Sequence, residues 1–154
     1  MRRRSCRVPR AVLIAVILAG SIATPLLAKA VWQGLKIETE FPIDVKQAKA
    51  EAVLDVEPSA FTFDPVVVTI EDKPKSATKT VALKIGLRNN SDRDYYAYLT
   101  ATLVDADGKP IASESEKEKA DDDDHATVHL KLKLKYAEAE RVKNCKLSIA
   151  FEKE

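Results

Sequence analysis

Residues of the types that do chemistry are few in this chain, and the densest group is acidic. Asp121, Asp122, Asp123 and Asp124 run consecutively into His125. Calcium takes about six to eight oxygen ligands, so these four aspartates are candidate ligands for a calcium-dependent binding module. Asp105 and Asp107 would add to the set if the two loops met. The competing expectation is a solvated loop that keeps an edge strand from pairing. Successive aspartates also cannot all turn towards one ion. His125 and His129 stand four residues apart, the spacing of a helical zinc pair, but His129 lies in an alternating pattern. Along a strand that interval is about 13 Å, too long for both rings to reach one metal at ~2 Å. Met1 is the sole methionine, which disfavours a soft copper site.

Catalytic machinery is equally sparse. No serine sits in a Gly-flanked nucleophile elbow, and no Gly-rich loop is available to cradle phosphate. Paired carboxylates occur only within charge runs. The expectation is therefore a protein without catalysis and without a cofactor. Tyr96 and Tyr98 are two apart and share one side of a strand. Exposed together, they would form a platform for a ligand or protein partner. The plainer alternative is a cross-strand aromatic pair that stabilises the sheet by up to ~1 kcal/mol.

The elements that must carry these residues read as strands. Val81, Leu83, Ile85 and Leu87 alternate with Ala82, Lys84, Gly86 and Arg88, which predicts one buried face. Residues 95–104 alternate again. The two threonines Thr100 and Thr102 suit a wet face, so Tyr95, Ala97, Leu99, Ala101 and Leu103 are assigned to the core. Residues 105–110 form a turn in which Gly108 supplies a positive φ. A short edge strand is expected at 111–115, then a solvated charged connection at 116–124. The clearest strand is 127–136. Val128, Leu130, Leu132, Leu134 and Tyr136 point inward; His129, Lys131, Lys133 and Lys135 point into water. One helical turn within 137–143 leads to a last strand at 145–151. Cys145 shares parity with Leu147, Ile149 and Phe151, so it is expected in the core as a small apolar group.

Earlier in the chain, residues 31–45 are extended, with Pro42 arguing against a central strand. Residues 44–53 fit a short helix capped by Asp44 or the start of a strand at 50–56, and the all-β surroundings favour the strand. Short β-branched and aromatic runs at 61–63 and 66–70 flank Asp64-Pro65, and 71–78 reads as a polar loop. Seven or eight short strands and no long helical period predict an all-β, antiparallel β-sandwich.

The first 30 residues differ in kind. Arg2, Arg3, Arg4, Arg7 and Arg10 precede an uncharged, mostly apolar run at 11–28 that Pro25 interrupts, and Ala28-Lys29-Ala30 offers small residues for a signal peptidase. This is the layout of a secretory signal peptide with cleavage after Ala30. An uncleaved anchor is the rival: 18 residues span about 27 Å, just short of the ~30 Å bilayer core. Either way residues 31–154 are exported, periplasmic or extracellular, as one domain, with Trp32 tying down its new end. The whole chain carries a formal +1, but residues 1–30 hold six positive charges and no negative one, leaving 19 against 24 beyond them, a net −5. Such a domain has no overall charge that favours nucleic acid or anionic lipid. Membrane contact is expected only through 11–28, if retained. With Cys6 in the leader, Cys145 is alone and no internal disulfide is expected.

Asn89-Asn90-Ser91 and Leu103-Val104-Asp105-Ala106-Asp107-Gly108 resemble bacterial exported immunoglobulin-like domains of the FxLYD kind. There a strand ends in an Asn-x-Ser turn and the next in Leu-Tyr-Asp before a Gly hairpin. The resemblance covers 81–111; Ala101 replaces the Phe, Val104 replaces the Tyr, and Asp121 to His125 replace the Pro-Gly usual before the following strand. It implies an immunoglobulin-like sandwich that acts as a binding or accessory module and contributes no catalytic residue. The partner is expected to be a protein or other cell-envelope component. Mass spectrometry of the exported protein should show the loss of residues 1–30; an intact N-terminus in the membrane fraction would identify an anchor instead.

Overall fold

The computed structural model describes the backbone of residues 26–33, 36–55 and 60–154. Residues 1–25 of the expected leader and the Trp32 side chain lie outside the described residues. Ten strands are present among the described residues: β1 (Leu26–Gln33), β2 (Lys36–Pro42), β3 (Lys49–Asp55), β4 (Phe61–Phe63), β5 (Val66–Lys73), β6 (Thr78–Asn89), β7 (Tyr95–Val104), β8 (Pro110–Ala120), β9 (His125–Lys135) and β10 (Asn144–Lys153). One helical turn, α1 (Tyr136–Ala139), joins the last two. The strands form two sheets packed face to face, an all-β sandwich. In the first sheet β9 pairs with β6, β6 with β4 and β5, and β5 with β3. In the second, β2 pairs with β10, β10 with β7, and β7 with β8. All of these pairs are antiparallel. β1 links the sheets: residues 26–29 run parallel to β3, and residues 30–33 run antiparallel to β2. The expected cleavage point after Ala30 falls inside this strand.

Alternation in the sequence becomes burial because each sheet has one inner face. Leu83, Ile85, Leu99, Leu103, Leu130, Leu132, Leu147 and Ile149 are all buried in one cluster. Cys145 is buried among them, and loss of solvation pushes its thiol up to about 12. It is therefore an unreactive filler, as its parity with Leu147 implied. Phe61 of the first sheet stacks on Phe151 of the second at 3.7 Å between centroids and meets the Tyr95 ring edge-on at 5.2 Å. These rings close one end of the sandwich.

Four segments depart from the sequence expectation. Residues 116–120, expected as a solvated connection, continue β8 through Ala120, each paired with β7. As an edge strand β8 needs hydrogen bonds on one side only, and its side chains before Ala120 reach water, so the ladder forms without apolar alternation. The expected loop at 71–78 shrinks to a hairpin around one 3-10 turn, Pro74–Ser76, with Ala77 at φ 50. Residues 44–47 make a turn in which the Asp44 carboxylate accepts the Lys46 N–H at 2.9 Å, and the strand after it starts at Lys49. Tyr136 opens α1 half-buried, and its hydroxyl donates to Asp72 at 2.5 Å.

Asp64-Pro65 marks a slip of one residue along β6. Phe61 and Phe63 of β4 face inward at odd positions, Val66 and Val68 of β5 at even ones. An inserted residue in one strand of a pair has this effect. The displaced Asp64 carboxylate crosses the β6 backbone at Gly86 and meets His125 Nε2 of β9 at 2.9 Å. A β-carbon on Gly86 would collide with that carboxylate, so any larger residue there would push Asp64 away from His125. Truncating Leu132 to Ala should cost ~2–5 kcal/mol in urea unfolding, because its side chain is buried. Lys133→Ala, on the opposite parity, should cost well under ~1 kcal/mol; equal costs would contradict the assigned faces.

Candidate functional site

Tyr96 and Tyr98 lie on the outer face of the second sheet, opposite in parity to the buried Ala97 and Leu99. Tyr98, at 36% exposure, is the one large apolar side chain exposed among the described residues. The β7–β8 register sets Lys119 beside Tyr96 and Lys117 beside Tyr98. The Lys117 ammonium lies 3.7 Å from the centre of the Tyr96 ring and 5.1 Å from that of Tyr98. A cation above an aromatic face is attracted by the ring quadrupole. The Tyr98 hydroxyl first, with the Tyr96 hydroxyl and the Glu152 carboxylate adding to it, holds the Lys117 ammonium above its ordinary pKa against the opposing cost of desolvation. Glu152 of β10 accepts the Tyr98 hydroxyl at 2.8 Å, and Glu154, just past the end of β10, accepts that of Tyr96 at 3.2 Å. Both rings are thus held at their outer ends and share one cation.

The row continues along β7 as hydroxyls. Thr100 meets Ser115, and Thr102 meets Ser113, each at 2.9 Å. Beyond them a shallow trough of about 460 Å³ lies between Glu38, Glu40, Lys146 and Ser148. Aromatic rings, hydroxyls and ionic groups therefore follow one another across a single sheet face. A larger cleft of about 680 Å³ opens at the end of the sandwich formed by the β5–β6 hairpin and α1. Its central ionic groups satisfy one another: Lys79 donates to the Val45 carbonyl at 3.1 Å and pairs with Asp72, which also accepts Tyr136.

The four aspartates of the β8–β9 connection do not converge. Asp121 pairs with Lys119 at 3.0 Å, and Asp123, at φ 52, pairs with Arg88 at 3.2 Å. Asp122 uses its backbone N–H towards Asp94, and Asp124 accepts the His125 N–H at 2.7 Å. Asp105 and Asp107 lie at the other end of β7, about ten strand residues away, or roughly 30 Å. Asp105 there accepts the backbone N–H groups of Asp107 and Lys109 and pairs with Arg141 at 2.9 Å. The Lys109 N–H, then the Arg141 guanidinium, hold its carboxyl below the usual range. Among the described residues no three His, Cys, Asp or Glu side chains are grouped to hold a metal. His125 is engaged by Asp64, and His129 stands beside Lys84 further along the first sheet.

Sequence reasoning treated the tyrosines and the acidic loop as separate sites, but the fold makes them neighbours. Lys119, beside Tyr96, pairs with Glu154 at 2.9 Å, Asp121 at 3.0 Å and Asp94 at 3.3 Å. Those carboxylates raise its pKa, Glu154 most. Asp94 is held below its usual range by the Asp122 N–H first and Lys119 second. Lys117, Lys119, Glu152 and Glu154 were missed. The available signal was the sequence from Ser113 to Lys119, where serine and lysine alternate strictly with glutamate.

No protein-family model matches the chain, and no curated protein is similar enough to count as a relative. Among the described residues no helix is long and apolar enough to cross a membrane.

Asn89 positions this end of the sheet. Its side-chain N–H groups donate to the carbonyls of Arg93 at 2.7 Å and Ala120 at 3.0 Å, the residues flanking the start of β7 and ending β8. Asn89→Ala would leave both carbonyls without that donor, at about 1–3 kcal/mol each. The expected loss in chemical denaturation is therefore at least ~2 kcal/mol; a loss under ~0.5 kcal/mol would show that water replaces the amide.

Proposed function

We propose that the chain is an exported, non-catalytic binding or accessory module that meets its partner on the outer face of the second sheet, at Tyr96 and Tyr98. The observation that carries this reading is the tethering of both rings. Tyr96 and Tyr98 are anchored through their hydroxyls to Glu154 and Glu152, with Lys117 against their faces. A partner meeting side chains that are already ordered loses less conformational freedom on binding. Tyrosine also combines large contact area with a polar tip, which suits a surface that is solvated before docking.

Export is supported by the basic head, the apolar run and the small-residue site of residues 1–30. The resemblance to FxLYD-type immunoglobulin-like domains over 81–111 points the same way, since these are accessory sandwiches outside the cytoplasm. The partner is a protein or another component of the cell envelope. Truncating an aromatic anchor at the centre of an interface costs ~2 kcal/mol or more, about thirtyfold in affinity. The double variant Tyr96→Ala, Tyr98→Ala should therefore lose capture of its partner from envelope extract by at least that factor while still melting cooperatively. Undiminished capture by the folded double variant would place the interface elsewhere.

A further inference from the structure

The outer face of the first sheet carries a different charge pattern. In the β6–β9 register Lys84 lies beside His129, while Lys131, Lys133 and Lys135 lie beside Ala82, Thr80 and Thr78. Lys84, Lys131, Lys133 and Lys135 are all exposed. None of the four enters an ion pair among the described residues. Among the described residues, acids of the same face are engaged elsewhere: Glu71 with Lys73, Glu51 with Lys49, and Asp64 with His125. The cross-strand neighbours of the β9 lysines are short, so no long side chain lies between those ammonium groups and solvent. Alternate residues of a strand are about 7 Å apart. Three lysines in line and a fourth on the adjacent strand can therefore reach one plane together.

We propose that this face docks on an anionic phospholipid surface. The net −5 of residues 31–154 averages over faces of different sign; at contact distance the local field decides, because charges beyond about 10 Å are screened at 0.1 M salt. An array of unpaired lysines on long, flexible stems matches a surface of phosphate headgroups by charge. A membrane is also the surface to which the apolar run at 11–28 brings the chain, whether that run is cleaved or retained. In this orientation the second sheet, with Tyr96 and Tyr98, faces away from the lipid.

The test is acetylation footprinting of the full chain by mass spectrometry, with vesicles of phosphatidylglycerol and phosphatidylcholine or of phosphatidylcholine alone. This reads each face separately, whatever the leader does. The phosphatidylglycerol vesicles should slow labelling of Lys84, Lys131, Lys133 and Lys135 by about threefold or more. Lys146, on the opposite sheet, should label at an unchanged rate. Protection should vanish at 1 M salt, where the screening length is about 3 Å. It should also vanish in the Lys131→Glu, Lys133→Glu variant, which should melt like the parent. Tyr96→Ala with Tyr98→Ala should leave the footprint intact, which separates this surface from the partner site. Equal labelling of both faces, protection by phosphatidylcholine alone, or protection by soluble polyphosphate and not by vesicles would each overturn the proposal.

Discussion

The amide of Asn89 is wholly buried, and each of its hydrogen-bonding positions is taken. Its N–H groups donate to Arg93 and Ala120, and its oxygen accepts the backbone N–H and the hydroxyl of Ser91. Its own backbone N–H donates to the Asp124 carbonyl at 3.0 Å. Asn89 ends β6 in the first sheet, while Ala120 ends β8 in the second, so one side chain pins the two sheets together. An amide in that position is stable only if all four groups find partners, since each buried unpaired group costs about 1–3 kcal/mol. That requirement fixes where the 90–94 loop and the β8–β9 connection begin. It therefore fixes where Lys119 and its carboxylates stand relative to Tyr96. The Asn-x-Ser element noticed in the sequence is a device for fully satisfying a buried amide.

The edges of the sandwich are controlled by charge. β8 carries Glu114, Glu116 and Glu118 on the side of the inner face, and Lys117 and Lys119 on the outer one. In an antiparallel pair, residues that meet share a face. Two copies of β8 adding edge to edge would set glutamate against glutamate and lysine against lysine or serine. Like charges directly opposite are destabilising, and inward-pointing charges are a natural guard on an edge strand. The sheet faces are thereby left as the surfaces for interaction. The outer faces of the two sheets differ in chemistry: tethered aromatic rings with hydroxyls on one, unpaired lysines on the other.

Sequence by itself determined the faces of β6, β7, β9 and β10. Each of these strands is buried on one side only, so its side chains must alternate between oil and water. That reached as far as the outward parity of Tyr96 and Tyr98 and the burial of Cys145. It did not reach β8, because an edge strand with solvated side chains needs no apolar residue and its pattern looks like a loop. Nor did it reach the parity change at Asp64-Pro65, which depends on how β4 and β5 follow one edge of β6 and on the missing side chain of Gly86. The surroundings of the candidate site were decided entirely by register. Glu152 and Glu154 lie more than fifty residues from the tyrosines they hold, as the pairings Tyr96↔Glu152 and Tyr98↔Ala150 bring about. The four aspartates were legible as charge, but their directions were not. Only the tertiary structure supplies Arg88 as the counter-ion of Asp123, thirty-five residues away, because Coulomb attraction acts between groups close in space, and that nearness is set by the pairing of β6 with β9.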